Sequence, residues 1–287
     1  MISPGELMLR VVRDDAGRTR AAAMHQRYPQ RMAAPLYSDP SFPDTAVVCV
    51  QSPSGGTFSD DDLTTTVQAG PGTHLRLITQ AATQVFAGTG PGTRHRLSFR
   101  VDAGATVEYL PKTTIPHADS HYTQVIDIDL DATGCYIGWE ALAAGRLGHG
   151  ERFRYSCYDN TIRVGVAGRT VARDRQRFTP ASTPTPRLVG ADYLATLLVV
   201  APGADCAALL GGVRQVLDSL PAEMHAGASA LPDDVGVLAR LTTDSAPDLQ
   251  RAQTQLLTAV HHELLVPTPL PNHLPTHLPT HERSRRL

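Results

Sequence analysis

The chain has 287 residues, of which 41% are hydrophobic and 19% charged, and its formal net charge is −2. A chain of this length and composition can bury a sizeable core and is typical of a globular protein. Because the net charge is close to zero, no basic field attracts nucleic acid or an acidic membrane surface, and we expect neither as a partner. No apolar run reaches the roughly 18 residues that a membrane helix needs.

Two features of the sequence favour the cytoplasm. The N-terminal segment is charged, with Arg10, Arg13 and Asp14, and lacks the apolar stretch of an export signal. The four cysteines are widely spaced and form no C-x-x-C pair, so we expect reduced core residues rather than disulfides. These cysteines are Cys49, Cys135, Cys157 and Cys206.

From residue 7 to about residue 178 the chain has the pattern of strands joined by turns. Residues 7–12 form an apolar strand, residues 14–17 form a hairpin turn, and a second strand begins at residue 19. Residues 46–50 form a short apolar strand that ends at the Pro-Ser-Gly-Gly loop of residues 53–56.

The middle of the chain contains an internal repeat. Three times, an apolar strand ends at a turn of small residues with glycine, and a new strand follows. The glycines are Gly70, Gly104 and Gly134, at intervals of 34 and 30 residues. A period of this size predicts stacked β units, each burying its apolar face on the next. The alternative is a plain β-sandwich with regular hairpins.

After residue 180 the pattern changes. A buried strand at 193–201 is followed by a helix that begins at residue 206 and ends before Pro221. A strand at 235–241 precedes a second helix, which Ser245 caps and whose first turn contains Pro247. One apolar face of that helix is formed by Leu249, Ala252, Leu256, Leu257 and Val260.

Together these elements predict a mainly β fold. We expect stacked β-sheets in a β-helix-like body, followed by two C-terminal α-helices. We assign residues 1–266 to a single β-rich domain. Residues 267–287 are rich in proline and histidine and are predicted to form a disordered tail.

The sequence has no recognisable catalytic motif. It shows no Ser-His-Asp order, phosphate-binding loop or metallohydrolase signature, so we do not expect an enzyme. The glycine-rich run at residues 88–92 lacks the Lys-Ser/Thr of a phosphate loop and is predicted to be a turn. Three adjacent carboxylates at Asp60, Asp61 and Asp62 are either a hard-cation or partner-facing group or a solvated acidic loop.

Histidines form two further candidate metal sites. In an extended strand, His117, Asp119 and His121 would share one face and offer ligands that suit nickel or zinc. The alternative there is an exposed strand face or loop, because no fourth ligand is identifiable. Near the C-terminus, a flexible array could hold Ni²⁺ loosely, or the tail could only aid solubility. This array comprises His261, His262, His273, His277 and His281.

A set of motifs indicates a family. Residues 138–146 (GWEALAAGR) and 150–153 (GERF) resemble the G-W-E-x-x-x-x-G-R-x-x-x-G-E-x-F signature of the urease accessory protein UreD (UreH) family. Further similarities follow in the family's order, at residues 35–37 (PLY), 55–63 (GGTFSDDDL), 79–83 (TQAAT), 108–111 (EYLP) and 174–178 (DRQRF). The chain departs from the family pattern at Asp60, Gln84, Lys112 and Asp174.

The resemblance implies a β-helix-like accessory protein of urease maturation. Such a protein docks on the apo-urease subunits and binds a UreF-type accessory protein and, through it, a UreG-type GTPase. Nickel passes through the family's interior and is inserted into the urease active site in a GTP-dependent step. The resemblance therefore implies transient Ni²⁺ rather than a tightly bound cofactor.

The motif positions supply candidate residues for the nickel route. A metal conduit needs weak, replaceable oxygen and nitrogen ligands. The candidates are the carboxylates Asp61, Glu140, Glu151 and Asp174, which we expect to line or gate the route. In the alternative interpretation Glu140 and Glu151 are structural and form ion pairs with Arg146 or Arg152. The motif residues expected to be structural are Gly55, Gly56, Gly138, Trp139, Gly145, Arg146 and Gly150, with Trp139 in the core.

Two other classes of function remain open on the sequence. The first is a nickel store that acts through the histidine-rich tail alone. The second is a β-solenoid enzyme acting on carbohydrate, which would need two carboxylates facing each other across a groove at ~5–10 Å. The 5% of aromatic residues and the single tryptophan disfavour the second, because few sugar-stacking surfaces are available.

Overall fold

The computed structural model describes residues 5–182 and 190–265. Within these residues the chain forms 18 β-strands and two α-helices. The strands are β1 Gly5–Arg13, β2 Thr19–Arg27, β3 Arg31–Met32, β4 Ala46–Gln51, β5 Gly56–Thr57, β6 Asp62–Ala69, β7 His74–Thr79, β8 Thr83–Val85, β9 Thr93–Val101, β10 Thr106–Leu110, β11 Thr114–Pro116, β12 His121–Leu130, β13 Cys135–Ala143, β14 Cys157–Val166, β15 Arg169–Phe178, β16 Tyr193–Val200, β17 His225–Ala230 and β18 Gly236–Thr243. The helices are α1 Cys206–Asp218 and α2 Ala246–Leu264.

The strands form two sheets. Sheet A has seven strands in the order β15-β14-β12-β9-β6-β1-β2. Sheet B has 11 strands, with the main order β17-β18-β16-β13-β10-β7-β4-β3 and the short strands β5, β8 and β11 joined to β13 through β11. The central strands of each sheet are parallel, and antiparallel strands complete the edges.

The internal repeat is the winding of a solenoid. At each glycine turn the chain leaves sheet A and enters sheet B, from β6 to β7, from β9 to β10 and from β12 to β13. Successive turns then pair side by side, as His74, Thr106 and Cys135 do in sheet B. The β-helix-like stacking predicted from the period is confirmed. A sandwich of regular hairpins does not describe the body, because these connected strands lie in different sheets.

The main core lies between the sheets. Alternate residues of each sheet A strand point inward, so β9 contributes Leu97, Phe99 and Val101, all buried. A second core lies on the other face of sheet B, where Trp139 packs beneath the two helices. Trp139 is 2% exposed, which confirms the prediction that it is a core residue.

The helices follow their predicted signals closely. Ser245 caps α2 by accepting a hydrogen bond from the backbone N–H of Asp248, and Pro247 lies in the first turn, as predicted. In α1 the N-cap is Asp205, and the helix ends at Asp218, two residues before the predicted end. Neither helix is long and apolar enough to cross a bilayer.

One strand was not predicted. Strand β17 has the sequence HAGASA, which lacks the β-branched and aromatic residues that mark strands. It forms because β18 offers it a full antiparallel ladder. The four cysteines are free, and Cys157 is buried, as expected for a core residue, whereas Cys49, Cys135 and Cys206 are only partly buried.

Candidate functional site

A cavity of about 120 Å³ lies between the two sheets. Its walls come from both sheets, and exposed residues at one side, including Gln80 and Lys112, show where it opens to solvent. The inner wall is polar in places. Sheet A contributes Thr65, His95, Tyr122 and Gln124, and sheet B contributes Tyr109 and Glu140.

The polar side chains belong to two facing rows. In sheet A, His95, Gln124, Asn160 and Gln176 are register partners on four adjacent strands. In sheet B, Glu140, Thr196 and Arg240 are register partners on β13, β16 and β18. Hydrogen bonds from Gln124 and Asn160 to Glu140, and from Gln176 to Thr196, cross the gap between the sheets. We call these seven residues the inter-sheet polar row.

Glu140 is the charged centre of this row. Its two carboxylate oxygens accept hydrogen bonds from the amide groups of Gln124 and Asn160. Burial raises the pKa of Glu140 to about 7, although these two donors oppose the shift. No arginine pairs with Glu140 among the described residues, so the ion-pair interpretation is wrong for this residue. The donors to Glu140 are neutral amides, whereas that interpretation expected an arginine.

Asp174 lies next to the row, beside Gln176 and Arg240. Arg240 donates to one of its carboxylate oxygens, and the side-chain amide of Gln176 lies 3.5 Å from the other. The negative charge of Asp174 also helps to raise the pKa of Glu140. Asp174, a residue of the sequence motif, therefore lies next to the polar row but does not line the cavity.

Asp61 lies in the loop before β6 and organises that loop. One of its carboxylate oxygens accepts hydrogen bonds from the Thr57 hydroxyl at 2.9 Å and the backbone N–H of Phe58 at 2.8 Å. Asp62, by contrast, forms an ion pair with Arg96 on the exposed face of sheet A. Asp61 and Asp62 thus have different partners, and among the described residues the three adjacent aspartates do not form a cation site.

Glu151 lies in the loop that follows β13. Its carboxylate forms an ion pair with Arg146 and accepts a hydrogen bond from the backbone N–H of Ala118 at 2.9 Å. These donors lower the pKa of Glu151 to about 2. The ion-pair interpretation therefore holds for Glu151, with Arg146 as its partner.

The glycines of the family motifs lie at close backbone contacts and turns. A Cβ at Gly56 would collide with the carbonyl oxygen of Gln84 in the stacked strand β8, and one at Gly145 with the carbonyl oxygen of Glu151. Gly55 and Gly150 occupy turns, and Gly138 lies within β13. These residues shape the two motif loops.

The predicted His-Asp-His face does not exist. Residues 117–120 form a turn between β11 and β12, and Asp119 has a positive φ of 61°. His117 bonds to Gln84, whereas His121 is exposed at the start of β12, so the three side chains do not share one strand face. Across residues 5–182 and 190–265, no three His, Cys, Asp or Glu side chains are grouped to hold a metal ion.

The histidine array divides at the end of α2. His261 and His262 lie in that helix, and His261 contacts Glu108 on sheet B. His273, His277 and His281 lie outside the described residues, as does the rest of the predicted tail.

Glu108 is the centre of a second polar cluster, which was not predicted from the sequence. It is fully buried and accepts hydrogen bonds from His74 at 2.7 Å, Arg76 at 2.9 Å and His261 at 3.0 Å. Burial alone would raise its pKa, but these donors outweigh burial and hold the pKa well below its ordinary value. The cluster attaches α2 to the outer face of sheet B.

The polar residues of sheet A were also missed, although the sequence carries a signal for them. In their strands, His95 and Gln124 are two residues from the inward-facing Leu97 and Ile126, and Asn160 has the same spacing in β14. Because residues at i and i+2 of a strand share a face, these polar side chains are predicted to point inward. A polar residue at an apolar position of a strand is the mark of a buried polar site.

Chemically, the cavity offers a partly buried carboxylate, carboxamides, hydroxyl groups and one imidazole. These are oxygen and nitrogen donors that exchange readily on a divalent ion, and they lack the thiolates that hold metals tightly. The fold and this cavity together define a β-solenoid protein with an internal polar cavity.

Comparison with known proteins gives the family. The family model described as UreD urease accessory protein matches residues 3–274. The chain is 56% identical over 264 residues to the urease accessory protein UreD of Mycolicibacterium gilvum, covering 92% of this chain and 96% of that protein. It is 35% identical over 229 residues to the urease accessory protein UreD of Deinococcus radiodurans, covering 79% and 80%. The chain belongs to the UreD urease accessory protein family.

This membership agrees with the resemblance found in the sequence motifs. The family is one of accessory proteins and not of enzymes, so the chain has a role in urease maturation. A carbohydrate-active enzyme is therefore excluded.

Proposed function

We propose that this protein is a non-catalytic scaffold that docks on apo-urease in the cytoplasm and conducts nickel through the space between its two sheets. The observation that carries the proposal is that Glu140 lines the cavity, partly buried, with its carboxylate bonded to two neutral amides. A carboxylate in such a place attracts a divalent cation, because the low local dielectric strengthens the interaction and only neutral donors compete for its lone pairs.

Transient binding follows from the ligand types. Carboxylate and amide oxygens bind Ni²⁺ more weakly than thiolates do, and an ion that exchanges among them can move on. Asp174 lies next to the row but is ion-paired with Arg240, so Glu140 is the carboxylate that remains available to the ion. Asp61 and Glu151 lie in the two motif loops and act by shaping those loops rather than by binding the ion.

We further propose that the scaffold works with a UreF-type accessory protein and, through it, a UreG-type GTPase, so that nickel insertion depends on GTP. Family membership supports a place in this assembly. The exposed loops of the body and the two helices are the surfaces available for docking.

Substitution of Glu140 tests the nickel route. In Glu140→Gln the side chain keeps its size but loses its charge, so we expect urease activation to fall by roughly tenfold or more, as for other changes around a metal path. The measurement is urease activity and nickel content after assembly with the partner proteins. Glu6→Gln is a matched control, because Glu6 is half exposed on the outer face and pairs with Arg27.

The same samples test docking. Because Glu140 lines the cavity between the sheets, its substitution should leave the outer surface unchanged. Wild type and Glu140→Gln should therefore both co-purify with the urease structural subunits and the UreF-type protein. Unchanged activation in Glu140→Gln would contradict the nickel route. Failure of the wild-type chain to recover either partner would contradict the scaffold.

A further inference from the structure

His95 is a partly buried imidazole on the wall of the cavity. It lies on β9, lines the cavity and is the register partner of Gln124 in the inter-sheet polar row. Burial lowers its pKa to about 4, so the ring is neutral at physiological pH. A neutral imidazole has one N–H donor and one nitrogen lone pair, and the surrounding contacts decide which nitrogen carries which.

The first contact fixes the position of the proton. The Gln30 amide donates to the backbone carbonyl oxygens of Gly5 at 3.1 Å and Thr64 at 2.9 Å, so its carbonyl oxygen faces Thr65. The Thr65 hydroxyl donates to that oxygen at 2.8 Å. Because the Thr65 hydroxyl has no second hydrogen, its oxygen must accept a hydrogen bond from His95 Nε2 at 3.0 Å. The proton of His95 is therefore on Nε2, and Nδ1 carries the lone pair.

The second contact leaves that lone pair free. The Gln124 amide nitrogen donates to Glu140 and lies 3.3 Å from Asn160, so the Gln124 carbonyl oxygen faces Tyr122. Tyr122 donates its hydroxyl hydrogen to that oxygen at 2.8 Å. The Tyr122 oxygen and His95 Nδ1 then face each other at 3.5 Å as two acceptors with no hydrogen between them. Two facing acceptors in a buried site are the arrangement that a cation relieves.

We propose that His95 Nδ1 is the nitrogen donor that makes the inter-sheet cavity selective for nickel over ions that prefer oxygen ligands. This inference rests on the proposed nickel route and adds its selectivity-determining residue. Carboxylates, carbonyls and water suit Mg²⁺, Ca²⁺ and Mn²⁺ as well as Ni²⁺, whereas imidazole favours Ni²⁺. A route lined by Glu140 and amides alone would admit the more abundant oxygen-preferring ions. The lone pair of the His95 imidazole adds a ligand that Ni²⁺ favours and that the oxygen-preferring ions do not.

The experiment is urease activation with the full chain and its partner proteins, at a limiting Ni²⁺ concentration and increasing Mn²⁺. Magnesium is held constant so that the GTPase is unaffected. In His95→Gln the side chain keeps an amide donor for Thr65 but loses the imidazole lone pair. We expect roughly tenfold less Mn²⁺ to halve activation by this variant than by wild type.

His25→Gln is the matched control. His25 is exposed on β2 and contacts Glu6 outside the cavity, so its substitution should leave the Mn²⁺ response unchanged. If circular dichroism shows that His95→Gln is poorly folded, the Thr65→Val variant tests the selectivity instead. That variant keeps the imidazole but removes the acceptor that fixes its proton on Nε2, so Mn²⁺ should again inhibit at lower concentration.

The outcomes separate this inference from the proposed function. If Glu140→Gln loses activation and the His95 and Thr65 variants respond to Mn²⁺ as wild type does, the selectivity inference is overturned and the route stands. If Glu140→Gln keeps full activation, the route itself fails. Inhibition of the folded His95 variant at roughly tenfold less Mn²⁺ than wild type, with each protein's activation expressed relative to its own value without Mn²⁺, supports the inference.

Discussion

At the scale of the residue, Glu140 shows how the fold keeps a carboxylate inside. A buried charge is costly unless donors satisfy its oxygens. Gln124 and Asn160 do so without supplying a positive charge, and they leave the pKa of Glu140 raised to about 7 by burial. An arginine at this place would neutralise the carboxylate and repel an incoming cation. The neutral donors keep the charge available.

The raised pKa has a measurable effect on stability. Because the pKa of Glu140 is about 7 when folded and 4.5 ordinarily, the folded protein retains a proton that the unfolded chain releases. The contribution of Glu140 is fully present below the unfolded pKa and is lost as pH rises towards the folded one, by about 3 kcal/mol in all. We expect the free energy of unfolding in urea to fall across this window in wild type, and less so in Glu140→Gln. Parallel curves for the two proteins would contradict the assignment.

At the scale of the element, helix α2 is held to the body in two ways. Its apolar face packs Leu249, Ala252, Leu256 and Val260 onto sheet B. Near its C-terminus, His261 bonds to the buried Glu108. Without its donors Glu108 would be an unpaired buried charge, which is costly. The contact with His261 therefore fixes the position of the helix end, and the apolar face fixes the orientation of the helix.

Truncation of the apolar face tests this description. In Leu256→Ala a fully buried side chain is lost, and we expect the free energy of unfolding to fall by about 2–5 kcal/mol. Gln255→Ala, one residue away on the exposed side, should change it by no more than about 0.5 kcal/mol. Denaturation curves in urea measure both. Equal effects of the two substitutions would show that α2 does not pack as described.

At the scale of the whole molecule, the chain winds alternately through the two sheets, and this winding creates the cavity between them. The inward faces of sheets A and B are apolar over most of their area and polar along one row. This row is what a nickel route requires, and it exists only when seven side chains from seven strands come together.

Deletion of residues 267–287 separates the scaffold from a nickel store. A scaffold with its route between the sheets should retain most of its urease activation without the tail, because the cavity lies within residues 29–141 of the body. A store acting through His273, His277 and His281 would lose its function. The measurement is urease activation by the truncated and full-length chains at equal nickel. Complete loss with the truncated chain would favour the store.

Much of the architecture could be predicted from the sequence. The glycines at residues 70, 104 and 134 mark the solenoid turns, and Ser245 with Pro247 marks the start of α2, because these are local features with local causes. The family signature was equally local. His117, Asp119 and His121 were misplaced because a positive φ at Asp119 ends the extended conformation that the alternation assumed. Strand β17 was missed because its pairing with β18, not its composition, makes it a strand.

The sequence by itself determined the solenoid repeat, the helix caps and membership of the UreD family, because each is written in neighbouring residues or in a motif. Only the tertiary structure decided which carboxylates matter to the interior. Glu140 and Glu151 are 11 residues apart in one motif, yet Glu140 lines the cavity and bonds to two amides, whereas Glu151 is paired with Arg146 in a loop. The physical reason is that a side chain's charge state and partners depend on strands that are distant in sequence and adjacent only after winding.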